Sequence, residues 1–125
     1  MHINLSDSEW KLMNCLWDRA PMTITELTAA LRAETGWSKN TVITMLSRLE
    51  AKGAVCHQAG PRAKRYSPAV AREDAALTET ENFLTKVYGG SLGLMVSSLV
   101  DSHTLTQADL AELSAILERV GGDEG

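Results

Sequence analysis

The sequence predicts a mainly α-helical chain with one small β-hairpin, and the segment from Thr23 to Pro68 carries the prediction. Two capped amphipathic helical patterns follow one another there in quick succession. The second shows small polar side chains on its outer face. A glycine stop comes next, then a short basic hairpin around Gly60-Pro61-Arg62. That order of parts is a winged helix-turn-helix. The helical patterns after Pro68 form a further segment, suited to pairing chains.

The first helix begins at Ser6. Ser6 and Glu9 have the spacing of a capping box, and Leu5 with Trp10 suits a hydrophobic staple around it. Met13, Leu16 and Trp17 follow at helical spacing and anchor a core, and Ala20-Pro21 ends the element. The second helix repeats the device, with Thr23 as cap, Glu26 closing the box and Met22 stapled to Leu27. Ile24, Leu27 and Leu31 mark its inner face, and Gly36 can turn left-handed at its end.

Ser38 caps the third helix, with Trp37 before it. At about 100° per residue, Val42, Met45, Leu46 and Leu49 gather on one side. The opposite side carries Asn40, Thr44, Ser47 and Ala51, flanked by Thr41 and Arg48. That face lacks a large apolar group, and Gly53 stops the helix. Strands are expected over Ala54 to Gln58 and Lys64 to Ser67, joined through Ala59-Gly60-Pro61-Arg62. Pro68 closes the sheet, which sets residues 1–70 as the first domain and 71–125 as the second.

The second domain reads as three helices. The first, from Arg72 to Tyr88, presents Leu77, Thr80, Phe83, Leu84, Val87 and Tyr88, and Gly89-Gly90 breaks it. Ser91 caps a short apolar helix through Leu92, Leu94, Met95, Val96, Leu99 and Val100. Thr106 caps the last, with Asp109 in its first turn and an apolar line of Leu110, Leu113, Ile116, Leu117 and Val120. Three short helices do not bury that much apolar surface alone. A second copy of the chain is the simplest cover, since two-fold homodimers are the commonest oligomers.

Charge is unevenly laid out. The formal net charge is −4, which argues against nucleic acid at first sight. From Gly36 to Pro68, however, Lys39, Arg48, Lys52, Arg62, Lys64 and Arg65 face Glu50 alone, a local balance of +5. From Ala69 onward Arg72, Lys86 and Arg119 stand against ten acids. Screening limits the reach of distant charge to about 10 Å at ordinary salt, so a basic patch attracts phosphate whatever the total.

Several function classes find no support. No apolar run reaches the ~18 residues of a membrane span, and no secretory signal is evident, which points to a cytoplasmic protein. Cys15 and Cys56 are read as reduced thiols. His2, His57 and His103 are scattered, and no phosphate loop, HExxH or nucleophile elbow occurs, so no enzyme is expected. Cys56 and His57 are adjacent, and on a strand they would point to opposite faces, which suits one tetrahedral metal ion poorly. No cofactor or metal is expected.

The third helix then carries the function. The DNA major groove admits one helix and offers donors, acceptors and thymine methyls. Asn40 suits adenine; Thr41, Thr44 and Ser47 suit base edges; Arg48 suits guanine or a phosphate. Ser38 and Lys39 stand at the helix N-terminus, a favourable place for a phosphate. Lys52 is expected to reach the backbone near the other end, and Arg62, Lys64 and Arg65 to grip phosphates from the hairpin. Lys64 and Arg65 alternate along a strand, so one of the two would face DNA. The rival readings are a winged-helix module that binds protein instead of DNA, and a metal-responsive regulator.

The chain resembles the penicillinase and methicillin-resistance repressors and the copper-responsive repressors related to them. The matching stretches are Leu5-Ser6-Asp7-Ser8-Glu9-Trp10 through Leu16-Trp17, Thr35-Gly36-Trp37-Ser38, Thr41-Val42, Thr44-Met45-Leu46 and Arg48-Leu49. Lys52-Gly53-Ala54, Gly60-Pro61-Arg62-Ala63, Tyr66-Ser67-Pro68 and Gly89-Gly90-Ser91-Leu92 complete them. The resemblance implies a homodimeric winged-helix repressor on a palindromic double-stranded operator, with a helical dimerisation domain. It also implies a partner in a membrane sensor metallopeptidase pathway that cuts an Asn-Phe bond, where this chain has Ser98-Leu99. Family members often carry Pro and then a basic residue after the capping Ser, where this chain has Lys39 and Asn40. Copper-type relatives end in cysteine pairs, and the tail from Gly121 to Gly125 holds none.

Overall fold

A computed structural model of the chain describes residues 3–124; His2, one of the three scattered histidines, and Gly125 lie outside them. The order is α1 (Asp7–Arg19), α2 (Ile24–Thr35), α3 (Lys39–Lys52), β1 (Val55–Ala59), β2 (Lys64–Pro68), α4 (Arg72–Tyr88), α5 (Leu92–Asp101) and α6 (Gln107–Glu124). This is the mainly helical chain with a hairpin wing that the sequence predicts.

Local chemistry sets the helix ends. Ser6 with Glu9, and Thr23 with Glu26, form complete capping boxes, each satisfying two otherwise unpaired N–H groups. Gly36 ends α2 at φ 66° and Gly53 ends α3 at φ 83°, both left-handed. At α3 the Ala54 N–H donates to Leu49 O at 2.8 Å and the Gly53 N–H to Glu50 O at 3.0 Å. This is the double closure of a Schellman motif. It uses Ala54 to finish the helix, so β1 starts one residue later than expected.

The strands pair antiparallel, from Val55 opposite Pro68 to Ala59 opposite Lys64. Gly60 turns the hairpin. Its N–H reaches Ala63 O at 3.0 Å, and a Cβ there would stand 2.5 Å from the same oxygen. A third backbone segment joins the wing at one point. Met22 and Tyr66 exchange N–H···O bonds of 3.0 and 2.8 Å, which fixes the start of α2 against β2.

The core is one cluster. Leu12, Met13 and Leu16 of α1, Leu27 of α2, and Val42, Leu46 and Leu49 of α3 are its largest fully buried side chains. Ile3, Leu5, Val55, Tyr66 and Ala75 close it around the edges. Each of α1, α2 and α3 presents its apolar stripe inward, as helical periodicity requires.

The described residues up to Thr80 form one compact unit and those from Glu81 a second. The start of α4 packs on the first unit. Trp17 Nε1 donates to Val70 O at 2.9 Å, Arg72 pairs with Asp18 at 2.9 Å, and the Arg72 guanidinium lies 5.3 Å from the Trp17 ring centre. Ala75 and Thr78 are buried there.

The second unit, Glu81–Gly125, has good local chemistry and little interior. Gly89 and Gly90 are left-handed, Ser91 caps α5, and Thr106 and Asp109 cap α6 reciprocally. Phe83 meets Tyr88 edge-on at 6.1 Å. Yet no hydrophobic side chain beyond Ala75 is buried among the described residues, and Leu92 and Leu117 are 59% and 71% exposed. Among those residues no single helix is long and apolar enough to cross a membrane; α4 and α5 together reach that length but bend by 75°.

Candidate nucleic-acid interface

The interface builds outward from the Ser38 cap. Ser38 Oγ accepts the Thr41 N–H at 3.2 Å and lies 3.1 Å from Thr41 Oγ1, so the first turn of α3 is fixed by its own side chains. Four apolar residues, Val42, Met45, Leu46 and Leu49, hold the inner side of the helix. The outer side is then forced outward. Lys39, Asn40, Thr41, Thr44, Ser47, Arg48 and Ala51 are all exposed. Thr44 Oγ1 donates to Asn40 O at 3.0 Å, which leaves its methyl and oxygen lone pairs facing out. Asn40, Thr41, Thr44, Met45 and Arg48 line a shallow groove of about 340 Å³.

The hairpin stands beside this helix. Arg62, Lys64 and Arg65 are exposed, and none forms an ion pair among the described residues. Arg65 lies on the α2 side, where Thr23, Glu26, Pro61, Arg62, Ala63 and Arg65 line a cleft of about 350 Å³. The Glu26 carboxyl is held below its ordinary value, first by the Thr23 N–H and hydroxyl and last by the charge of Arg65. Lys64 precedes Arg65 on β2 and is exposed as well.

Lys52 departs from expectation. Its ammonium does not stand free for a phosphate; it pairs with Glu9 Oε1 at 2.6 Å and donates to Asn4 O at 2.9 Å. Glu9 also accepts the Ser6 N–H at 2.8 Å and is buried. Burial alone would raise the Glu9 carboxyl, but Lys52 and the Ser6 N–H outweigh it and the value is lowered. The pairing therefore contributes stability in full above the ordinary value of 4.5 and loses it as pH falls through the lower folded value. Glu9→Gln should cost about 1–3 kcal/mol of unfolding free energy at pH 7. It should also flatten the acid limb of the stability curve below that value. Denaturant titrations across pH would check both effects, and an unchanged acid limb would contradict the assignment.

Two features had no signal in the sequence. Glu50, on the flank of α3, contacts His57 Nδ1 of β1, and the His57 ring sits 5.4 Å from Tyr66. Burial, and then the Glu50 charge, push the Tyr66 hydroxyl up. This contact joins α3 to the wing and takes up the only acid of the basic segment between Gly36 and Pro68. The second feature is Ile43, which is 41% exposed on a helix face that the periodicity assigns to polar groups.

Cys56 and His57 do diverge on β1, the one exposed and the other half-buried. Cys15 Sγ lies 3.8 Å from Met22 Sδ, and burial pushes its thiol up. No cluster of three metal-ligating side chains occurs among the described residues.

Comparison with known proteins agrees with this geometry. A family model described as penicillinase repressor matches residues 5–119. The penicillinase repressor of Bacillus licheniformis is 32% identical over 91% of this chain and 89% of its own. The methicillin resistance regulatory protein MecI of Mammaliicoccus sciuri is 27% identical over 92% of this chain and 94% of its own. Among solved structures, Bacillus licheniformis BlaI in complex with the blaP half-operator is similar at TM-score 0.53 and 31% identity, covering 59% of this chain and 90% of that one. A mutant MarR from E. coli shares the fold at TM-score 0.52 and 21% identity over 94% of this chain and 78% of that one. With the family model matched over residues 5–119, the chain belongs to the penicillinase repressor family, whose named members are transcriptional repressors rather than enzymes.

Proposed function

We propose that the chain acts in the cytoplasm as a homodimeric, sequence-specific repressor that occupies a palindromic operator. The exposed polar face of α3, flanked by unpaired wing cations, is the observation that carries it. Asn40, Thr41, Thr44, Ser47 and Arg48 read base edges in the major groove. Ser38 and Lys39 at the helix N-terminus, with Arg62 and Lys64 on the wing, hold phosphates. Lys52 supports the helix from behind instead. Two copies joined through the second unit place two such helices on half-sites one or two DNA turns apart. The BlaI structure with its half-operator supports the same placement of the first unit.

Arg48→Ala and Thr44→Ala should each weaken specific binding by about 1–3 kcal/mol. Footprinting that showed full, sequence-selective protection by both variants would remove them from the reading set. Replacing Arg62 and Lys64 together by Ala should lower the slope of log affinity against log salt by about 0.9 for each phosphate no longer neutralised. An electrophoretic shift at two salt concentrations reads that slope. A chain that shifts no genomic fragment at either salt would instead be a protein-binding winged helix.

The position aligned with the cut bond of related repressors is Ser98-Leu99, within α5, where Ser98 Oγ donates to Leu94 O at 3.0 Å. A sensor metallopeptidase pathway acting there would meet a hydrogen-bonded helix and a pair other than Asn-Phe. Incubation with the activated protease and mass analysis of the products would decide whether this bond is cut.

A further inference from the structure

One side chain on the outward part of α3 is neither polar nor small. Ile43 is 41% exposed, although Val42, Met45, Leu46 and Leu49 already fill the inner side of the helix. At about 100° per residue Ile43 falls between Ser47, which faces outward, and Glu50. Glu50 is turned toward β1 by its contact with His57, so Ile43 stands on the flank of α3 nearest the wing. Asn40 and Ser47, three residues before it and four after, are its exposed neighbours along the helix.

A single isoleucine on a surface is ordinary. Here its neighbours are the residues assigned to base edges, and the contact between Glu50 and His57 occupies the one nearby acid. The floor of the major groove offers one apolar feature, the thymine C5-methyl. A β-branched side chain on a helix has essentially one χ1 rotamer, so Ile43 is presented without rotamer freedom to lose. A methyl-sized contact is what such a group can recognise.

We infer that Ile43 is a specificity-determining residue that packs on a thymine methyl in each half-site, requiring an A·T pair at that position. The inference rests on the DNA-binding reading above, and its test separates the two. Duplexes selected by the protein from random sequence are remade with deoxyuridine replacing thymidine one position at a time, which removes only the methyl. Wild-type protein should lose about four-fold in affinity at one such position per half-site, the worth of one buried methyl. Ile43→Ala should bind the thymine duplex that much more weakly and show no further loss with uracil there. Methyl contacts made by Thr41 or Thr44 would persist in this variant at other positions. Ile43→Val keeps a branched methyl pair and should retain the uracil penalty, which preserves the test if the alanine variant melts early. Uracil penalties identical in wild type and Ile43→Ala, or absent from both, overturn the assignment. Failure to select any sequence overturns the DNA-binding reading itself.

Discussion

Leu92→Asp combined with Leu117→Asp should convert the proposed homodimer to a monomer and lower its affinity for a full operator by about 10²–10⁴-fold. The two leucines are among the most exposed large apolar groups of the second unit, at 59% and 71%. An unpaired carboxylate forced into a subunit interface is strongly disfavoured. Without the interface one bivalent event becomes two independent ones, and the effective concentration of the second reading head disappears with it. The first unit keeps its own core and should melt as before. Sedimentation and operator titration read the two effects separately. A double variant that still sediments as a dimer with unchanged affinity would place the subunit contact elsewhere.

Leu46→Ala should cost about 2–5 kcal/mol of unfolding free energy, a large part of a typical domain's about 5–15 kcal/mol. Leu46 is 1% exposed in the cluster between α3 and the other helices, and truncation would leave a cavity beneath the recognition helix. The neighbouring Ser47→Ala is the contrast. Ser47 is exposed, so its stability should move by no more than about 0.5 kcal/mol while its operator affinity changes. Denaturant unfolding of both variants makes the comparison. A Leu46→Ala loss below about 1 kcal/mol would mean that the inner face of α3 is not packed as described.

What the sequence made legible follows the range of each interaction. Ser6, Thr23 and Ser38 were readable as caps because the chemistry lies within three residues. Gly36 and Gly53 were readable as stops because the left-handed turn is a local demand. The polar face of α3 follows from helical period alone. The Met22–Tyr66 bridge was not readable, since one residue of strand leaves no pattern. Lys52 looked like a free cation because Glu9 lies 43 positions away. The contacts of Val70 and Arg72 with Trp17 and Asp18 of α1 were unreadable for the same kind of reason, being 53 and 54 positions apart. For Ile43, period gave the angle but not the exposure, which depends on how closely the wing approaches.

The Lys52–Glu9 pairing bears on how the reading helix meets its duplex. α3 is fastened at its first turn by Ser38, along its length by the core, and at its last turn to the start of α1. A rod fastened at three places arrives already aimed, and little disorder remains for docking to remove. On the proposed reading, discrimination between operators then resides in the chemistry of the rim, and exchanging rim residues should retarget the protein without rebuilding the scaffold beneath.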